Sequence, residues 1–97
     1  METIELKMSV VEPKERVKRQ ERTEDERGLI LFNDDVNSFD HVISCLMRIC
    51  KHDMVQAEQC AWIVHTNGKC LVKTGTFDEV QSMCLRLLNQ GLSAKVD

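Results

Sequence analysis

From residue 28 onward, apolar and polar positions follow two different periods along the chain, and the switches between them mark six elements. Leu29-Ile30-Leu31-Phe32 is an unbroken apolar run halted by Asn33-Asp34-Asp35, the pattern of a short buried strand. Ser38 is placed to cap a helix whose apolar residues Phe39, Val42, Ile43, Leu46, Met47 and Cys50 recur at spacings of three and four, one face of an α-helix. Asp53 with Gln56 forms a capping-box pattern that opens a second helix from Met54 to about His65. Asn67-Gly68 supplies a residue able to turn left-handed and stop it. Cys70-Leu71-Val72, enclosed by Lys69 and Lys73, reads as a short strand. Thr76 and Glu79 form a full capping box for a third helix, with Val80, Met83, Cys84, Leu87 and Leu88 in its stripe and Gly91 as its end. Leu92 to Val96 alternates as an edge strand does.

The predicted order is therefore β-α-α-β-α-β. Strands this few and short need a helical layer to complete a core, so the expectation is an α+β fold: a small three-stranded antiparallel sheet packed against three helices. Ile43, Leu46, Met47, Val80, Met83 and Leu87 are the expected core.

The first 27 residues have another character. Glu12 to Arg27 holds six acidic and six basic residues in sixteen positions, with Val17 the only aliphatic besides Pro13. Such a segment lacks the apolar surface needed to offset the entropy of ordering. Pairs such as Glu12–Arg16 and Glu15–Arg19 can support a transient helix. Residues 2–11 alternate through Ile4, Leu6, Met8 and Val10 and form a candidate strand. Residues 1–27 are expected to be a charged, mobile N-terminal extension, with the folded domain occupying 28–97.

Composition narrows the function. Ninety-seven residues make one domain at most. A net charge of −3 argues against nucleic acid as partner. No apolar run approaches the roughly 20 residues that span a bilayer, and the first residues do not read as a secretory signal, so a cytoplasmic location is expected. Five cysteines, an odd number without a C-x-x-C pair, do not describe a disulfide framework or a zinc site. His41 with Cys45, and Cys60 with His65, are spaced so that a metal is conceivable, but small buried thiols are the simpler account. Cys60 and His65 do not share a helical face, and no G-x-S-x-G or Gly-rich phosphate loop is present. No enzyme and no cofactor are expected.

Asn33-Asp34-Asp35 has a bland interpretation, a polar turn that releases the chain from the sheet. Two carboxylates beside an amide also offer several acceptors to an ammonium group, which donates three hydrogen bonds and accepts none. The nearest following basic residue, Arg48, lies far along the next helix, and uncompensated negative charge favours a cationic ligand. His65, at a helix end, is on its own more often a cap than a ligand contact. Trp62, flanked by Ala61 and Ile63, is a candidate for partial exposure.

Residues 28–97 resemble the ClpS adaptor domain. The resemblance rests on Leu31-x-Asn33-Asp34-Asp35, the helix after it, the Val64-His65-x-x-Gly68-Lys69 segment, and the final helix and strand. It implies a non-catalytic adaptor that holds substrates by a destabilising N-terminal Phe, Tyr, Trp or Leu. The adaptor delivers them to a Clp-type AAA+ unfoldase of the ClpA or ClpC kind. By this resemblance Asn33, Asp34, Asp35 and His65 form the amine-binding group, and Phe39, Val42, Ala61, Val64 and Leu92 line a hydrophobic pocket. Glu79 and Cys84 fall at the unfoldase-facing surface, and the extension is implied to enter the unfoldase pore. The chain departs from the family where aromatic-Thr-Pro-Met usually follows N-D-D: here Val36-Asn37-Ser38-Phe39 stands instead. Phe39 replaces a Met that guards the pocket, and Ala61 stands where a second Met is common, which alters the pocket's shape. Cys84 stands where a basic residue is frequent. A divergent regulator that docks on the unfoldase without reading N-termini is the alternative. A third reading is a domain for another partner, similar in architecture to the C-terminal domain of the ribosomal stalk protein.

Overall fold

A computed structural model of the protein describes residues 26–97. The candidate strand in residues 2–11 and most of the charged segment lie outside the described residues. Three strands and three helices follow one another as β1 (Glu26–Phe32), α1 (Phe39–Ile49), α2 (Met54–Asn67), β2 (Lys69–Thr76), α3 (Phe77–Asn89) and β3 (Ser93–Val96). The α+β architecture and its element order are those the sequence pattern predicts.

β1 is central, in a sheet of order β2-β1-β3 with both neighbours antiparallel. This explains its continuous apolar run. Leu29 and Leu31 point into the helical layer and are essentially buried, while Ile30 and Phe32 half-cover the opposite face. The strand begins two residues before Gly28, because Glu26 and Arg27 pair with Thr76 and Gly75. Arg27 also lies over the Phe77 ring, 5.4 Å from its centroid.

β2 outruns the predicted Cys70–Val72 segment and reaches Thr76, which both ends the strand and caps α3. Thr74 and Gly75 gave no apolar signal, yet their backbones complete the ladder to Gly28 and Arg27. A bulge interrupts that ladder: Leu29 faces Lys73 and Ile30 faces Leu71, leaving Val72 between them without a partner residue in the register. The Val72 carbonyl is taken by His52, whose Nε2 donates to it at 2.7 Å. His52 is only 4 % exposed, and nothing in the hydrophobic pattern marked it as interior.

The helices bury their stripes with some rotation from the expected faces. In α1 the buried residues are Cys45, Leu46 and Ile49, while Val42, Ile43 and Met47 pack at the margin. Phe39 is turned outward. α2 buries Ala57, Cys60, Ala61 and Val64, small residues that allow close approach to its neighbours. α3 buries Val80, Cys84 and Leu87, with Met83 partly covered, and leaves Leu88 45 % exposed, contrary to its place in the predicted stripe. No described helix is long and apolar enough to cross a membrane.

Candidate functional site

The end of β1 and the end of α2 meet because two backbone connections join them. Gly68 takes a left-handed φ of 94° and donates its N–H to Val64 O at 2.9 Å, closing α2. Its own carbonyl then accepts from Asn33 N–H at 2.9 Å. Phe32 pairs with Lys69 in the same place. His65, in the last turn of α2, is thereby brought to the polar loop that follows β1, across about thirty residues of chain.

That loop is shaped by Asp34. Its Oδ1 accepts from the backbone N–H groups of Val36 and Asn37, both at 2.9 Å, and from Asn37 Nδ2 at 3.1 Å. Its Oδ2 accepts from Asn37 Nδ2 at 2.9 Å. The Asn37 backbone bond is the main reason that the Asp34 carboxyl titrates below the usual carboxylate value; partial burial opposes it, and the Asn37 amide, Val36 N–H and His41 assist. Grouped with the amine acceptors on sequence grounds, Asp34 instead has both its oxygens engaged within the loop. Asn37, which sequence reasoning missed, ties the loop to the turn between α3 and β3 through Nδ2 donating to Gly91 O at 2.8 Å. The detectable signal was an acidic residue three positions before an Asn, the spacing of a side-chain-stabilised turn.

The turn that ends α3 also receives His41, whose Nε2 donates to Gln90 O at 2.9 Å. Cys45 Sγ lies 3.6 Å from that nitrogen. Among the described residues no group of three His, Cys, Asp or Glu side chains gathers as metal ligands. Leu92 follows in a Schellman turn, in which Gly91 N–H reaches Leu88 O at 3.0 Å and Leu92 N–H reaches Leu87 O at 3.1 Å. Gly91 holds φ at 87°, and the turn carries Leu92 inward, 4 % exposed.

These connections enclose a cavity of about 330 Å³, at the small end of the roughly 300–1,000 Å³ typical of ligand pockets. Leu31, Ala61, Val64 and Leu92, each at most 4 % exposed, supply its apolar floor, and Val42 and Phe39 a wall. Asn33, Asp34, Asp35 and His65 stand around the same cavity. Every residue named from sequence for the amine group and the pocket therefore lines one recess, together with Leu31, Phe32 and Asn37. Asn33, Asp35 and His65 are exposed at its mouth. No described residue hydrogen-bonds to the side-chain acceptors of Asn33 or Asp35.

An aromatic group borders the mouth. The Phe39 ring meets Trp62 edge-on at 6.3 Å and His65 edge-on at 6.4 Å, and Trp62 lies 5.9 Å from His65. Trp62 is 59 % exposed.

The two residues named for a partner surface separate. Glu79 is exposed in the first turn of α3 and completes the capping box, its Oε1 accepting from Thr76 N–H at 3.1 Å. Cys84 is 7 % exposed and packs in the core cluster, so its thiol is not available as a docking contact. Burial raises its pKa, and drives those of Cys50 and Cys70 up to about 11.

Fold and recess together describe a small α+β module with a cavity that is apolar inside and rich in acceptors at its mouth. The chain matches the family model of the ATP-dependent Clp protease adaptor protein ClpS over residues 22–95. It belongs to the ClpS family and is an adaptor of the Clp protease system. Its fold is similar to that of Agrobacterium tumefaciens ClpS2, solved bound to L-phenylalaninamide, with a TM-score of 0.68 and 14 % identity. That alignment covers 75 % of this chain and 98 % of the other. No curated protein sequence matches the chain.

Proposed function

We propose that the recess binds the first residue of substrate proteins bearing a bulky hydrophobic N-terminus, and that the adaptor presents them to a Clp-type AAA+ unfoldase of the ClpA or ClpC kind. The supporting observation is the convergence of Asn33, Asp35 and His65 on the mouth of an apolar cavity. A free α-ammonium donates three hydrogen bonds, and the acceptors of Asn33 and Asp35, which no described residue engages, suit it. The His65 ring serves the amine or the first peptide group. An acetylated or internal residue lacks that charge, so the site reads a chain start and not a sequence. The cavity floor adds roughly 1.5–3 kcal/mol on burying a Leu or Phe side chain. The ClpS2 structure containing L-phenylalaninamide is consistent with such a ligand.

Side-chain preference follows from the walls. Phe39 is held by Trp62 and His65, while Ala61 leaves extra depth on the floor. Phe, Tyr, Trp and Leu remain the substrate class, with a ranking set by this altered shape.

Calorimetry with a Phe-starting peptide and its acetylated form tests the proposal. The free peptide binds and the acetylated one does not. Asp35→Ala lowers affinity roughly ten- to a hundredfold, the range of about 1.5–3 kcal/mol for a hydrogen bond to a charged group. Equal binding of free and acetylated peptides would reject the amine-reading mechanism, and no binding of either would favour a regulator that docks without reading N-termini.

A further inference from the structure

Trp62 has no part in the recess itself. It stands outside the mouth, one aromatic ring beyond Phe39 and His65, and the indole is 59 % exposed. It is not an isolated apolar residue on a polar face. With Glu58, Gln59 and Ile63 it lines a shallow hollow of about 350 Å³, and Ile63 is itself 38 % exposed. The apolar surface thus runs on from the pocket wall along the outer side of α2. Exposed apolar surface of this kind marks an interaction site, and its place beside the recess makes a ligand seated there the nearest candidate to cover it.

Chain geometry says which part of a ligand meets it. In an extended peptide successive side chains point to opposite sides, and residues two apart lie roughly 6.6 Å from one another on the same side. With the first side chain in the recess, the second points to solvent and the third returns to the protein surface. Trp62 is 6.3 Å from the Phe39 ring and 5.9 Å from the His65 ring, both of which border the recess. Such a step matches in length the distance from either ring to the indole, which puts Trp62 within reach of the third side chain.

We propose that Trp62, with Ile63 beside it, forms a second subsite that takes an apolar side chain at the third residue of the substrate, so that the adaptor reads two points instead of one. The proposal rests on the reading of the recess as an N-terminal residue pocket. Trp62 is a specificity residue, separate from the acceptors that hold the amine.

Four amidated probes test it by calorimetry: L-phenylalaninamide, Phe-Gly-Gly, Phe-Leu-Gly and Phe-Gly-Leu. The wild-type protein binds Phe-Gly-Leu about tenfold more tightly than Phe-Gly-Gly, the order expected for packing Leu on an exposed aromatic ring. In Trp62→Ala that ratio falls to near one while L-phenylalaninamide still binds, and Trp62→Phe restores most of it. Trp62 is largely exposed, so the variants fold, and unchanged thermal unfolding verifies this. Equal wild-type binding of the three peptides overturns the proposal, as does a gain confined to Phe-Leu-Gly. If Trp62→Ala weakens L-phenylalaninamide as much as Phe-Gly-Leu, the indole merely steadies Phe39 and His65, and the second subsite is rejected. Failure of the wild type to bind even L-phenylalaninamide is a distinct result that removes the first-residue pocket itself.

Discussion

Adjacent residues in the Asn33-Asp34-Asp35 run do different work because their side chains meet different partners. The Asp34 carboxylate closes the loop on Val36 and Asn37, which leaves the exposed Asn33 and Asp35 as acceptors. Three consecutive polar residues look alike in a sequence; only the backbone turn decides which one is folded back. The consequence is measurable as a pH effect. The folded-state pKa of Asp34 is depressed, so its contribution to stability is complete above its unfolded value of about 3.9 and disappears as pH falls through the lower folded value. Asp34→Ala should therefore cost about 1–2 kcal/mol at neutral pH, from lost charge-assisted hydrogen bonds. The gap between wild type and variant in urea unfolding should narrow below pH 4. A gap that is constant down to pH 2 would mean that the carboxylate charge contributes nothing to the loop.

Elements position these residues through their ends more than through their middles. β1 and β2 are joined where Asn33 N–H meets Gly68 O, and Gly68 is free to hold φ at 94° with no heavy atom near a would-be Cβ. An alanine there meets no clash, but it must adopt a left-handed backbone, at about 1–2 kcal/mol. Gly68→Ala should lower the melting temperature by several degrees and also weaken binding of a Phe-starting peptide, because His65 and Asn33 are placed by that turn. A melting temperature equal to wild type would show that the turn carries no strain-sensitive role. Helices and caps were legible in the sequence because Ser38, Asp53 and Thr76 each announce an N-terminus, and their side chains do accept from His41, Gln56 and Glu79. The far half of β2 was not, since Thr74 and Gly75 join the sheet through backbone alone. His52 was also invisible: its burial depends on a bulge that exposes the Val72 carbonyl to it, and a bulge leaves no periodicity to read. Phe39 was placed in the wall by resemblance, but its contacts with Trp62 and His65 join two helices and leave no trace in the spacing of either.

At the scale of the whole molecule, the roles of the recess and of the residues preceding β1 can be tested separately. Among the described residues, those lining the recess run from Leu31 to Leu92, within the 22–95 span of the family match. Glu26, the first described residue, already belongs to the sheet, and its pairing with Thr76, together with the Arg27–Phe77 contact, anchors the start of α3. A truncation at Gly28, the boundary suggested by composition, would cut into this anchor and confuse two effects. Removing residues 1–25 avoids that. If, as the resemblance to other adaptors implies, the charged segment engages the unfoldase pore, the truncated protein should bind a Phe-starting peptide with wild-type affinity. It should no longer promote degradation of a Phe-starting substrate by a reconstituted Clp unfoldase and peptidase. Weaker peptide binding after this truncation would assign the segment to the recess, and undiminished degradation would show that delivery needs only the folded domain. Glu79, exposed at the start of α3, provides the complementary test on the docking side. Its carboxylate also caps the helix through Thr76, so Glu79→Gln, which retains an acceptor for the cap while removing the charge, is the substitution that isolates docking from folding. A loss of delivery with peptide affinity intact would place electrostatic docking on the first turn of α3, outside the residues that line the recess.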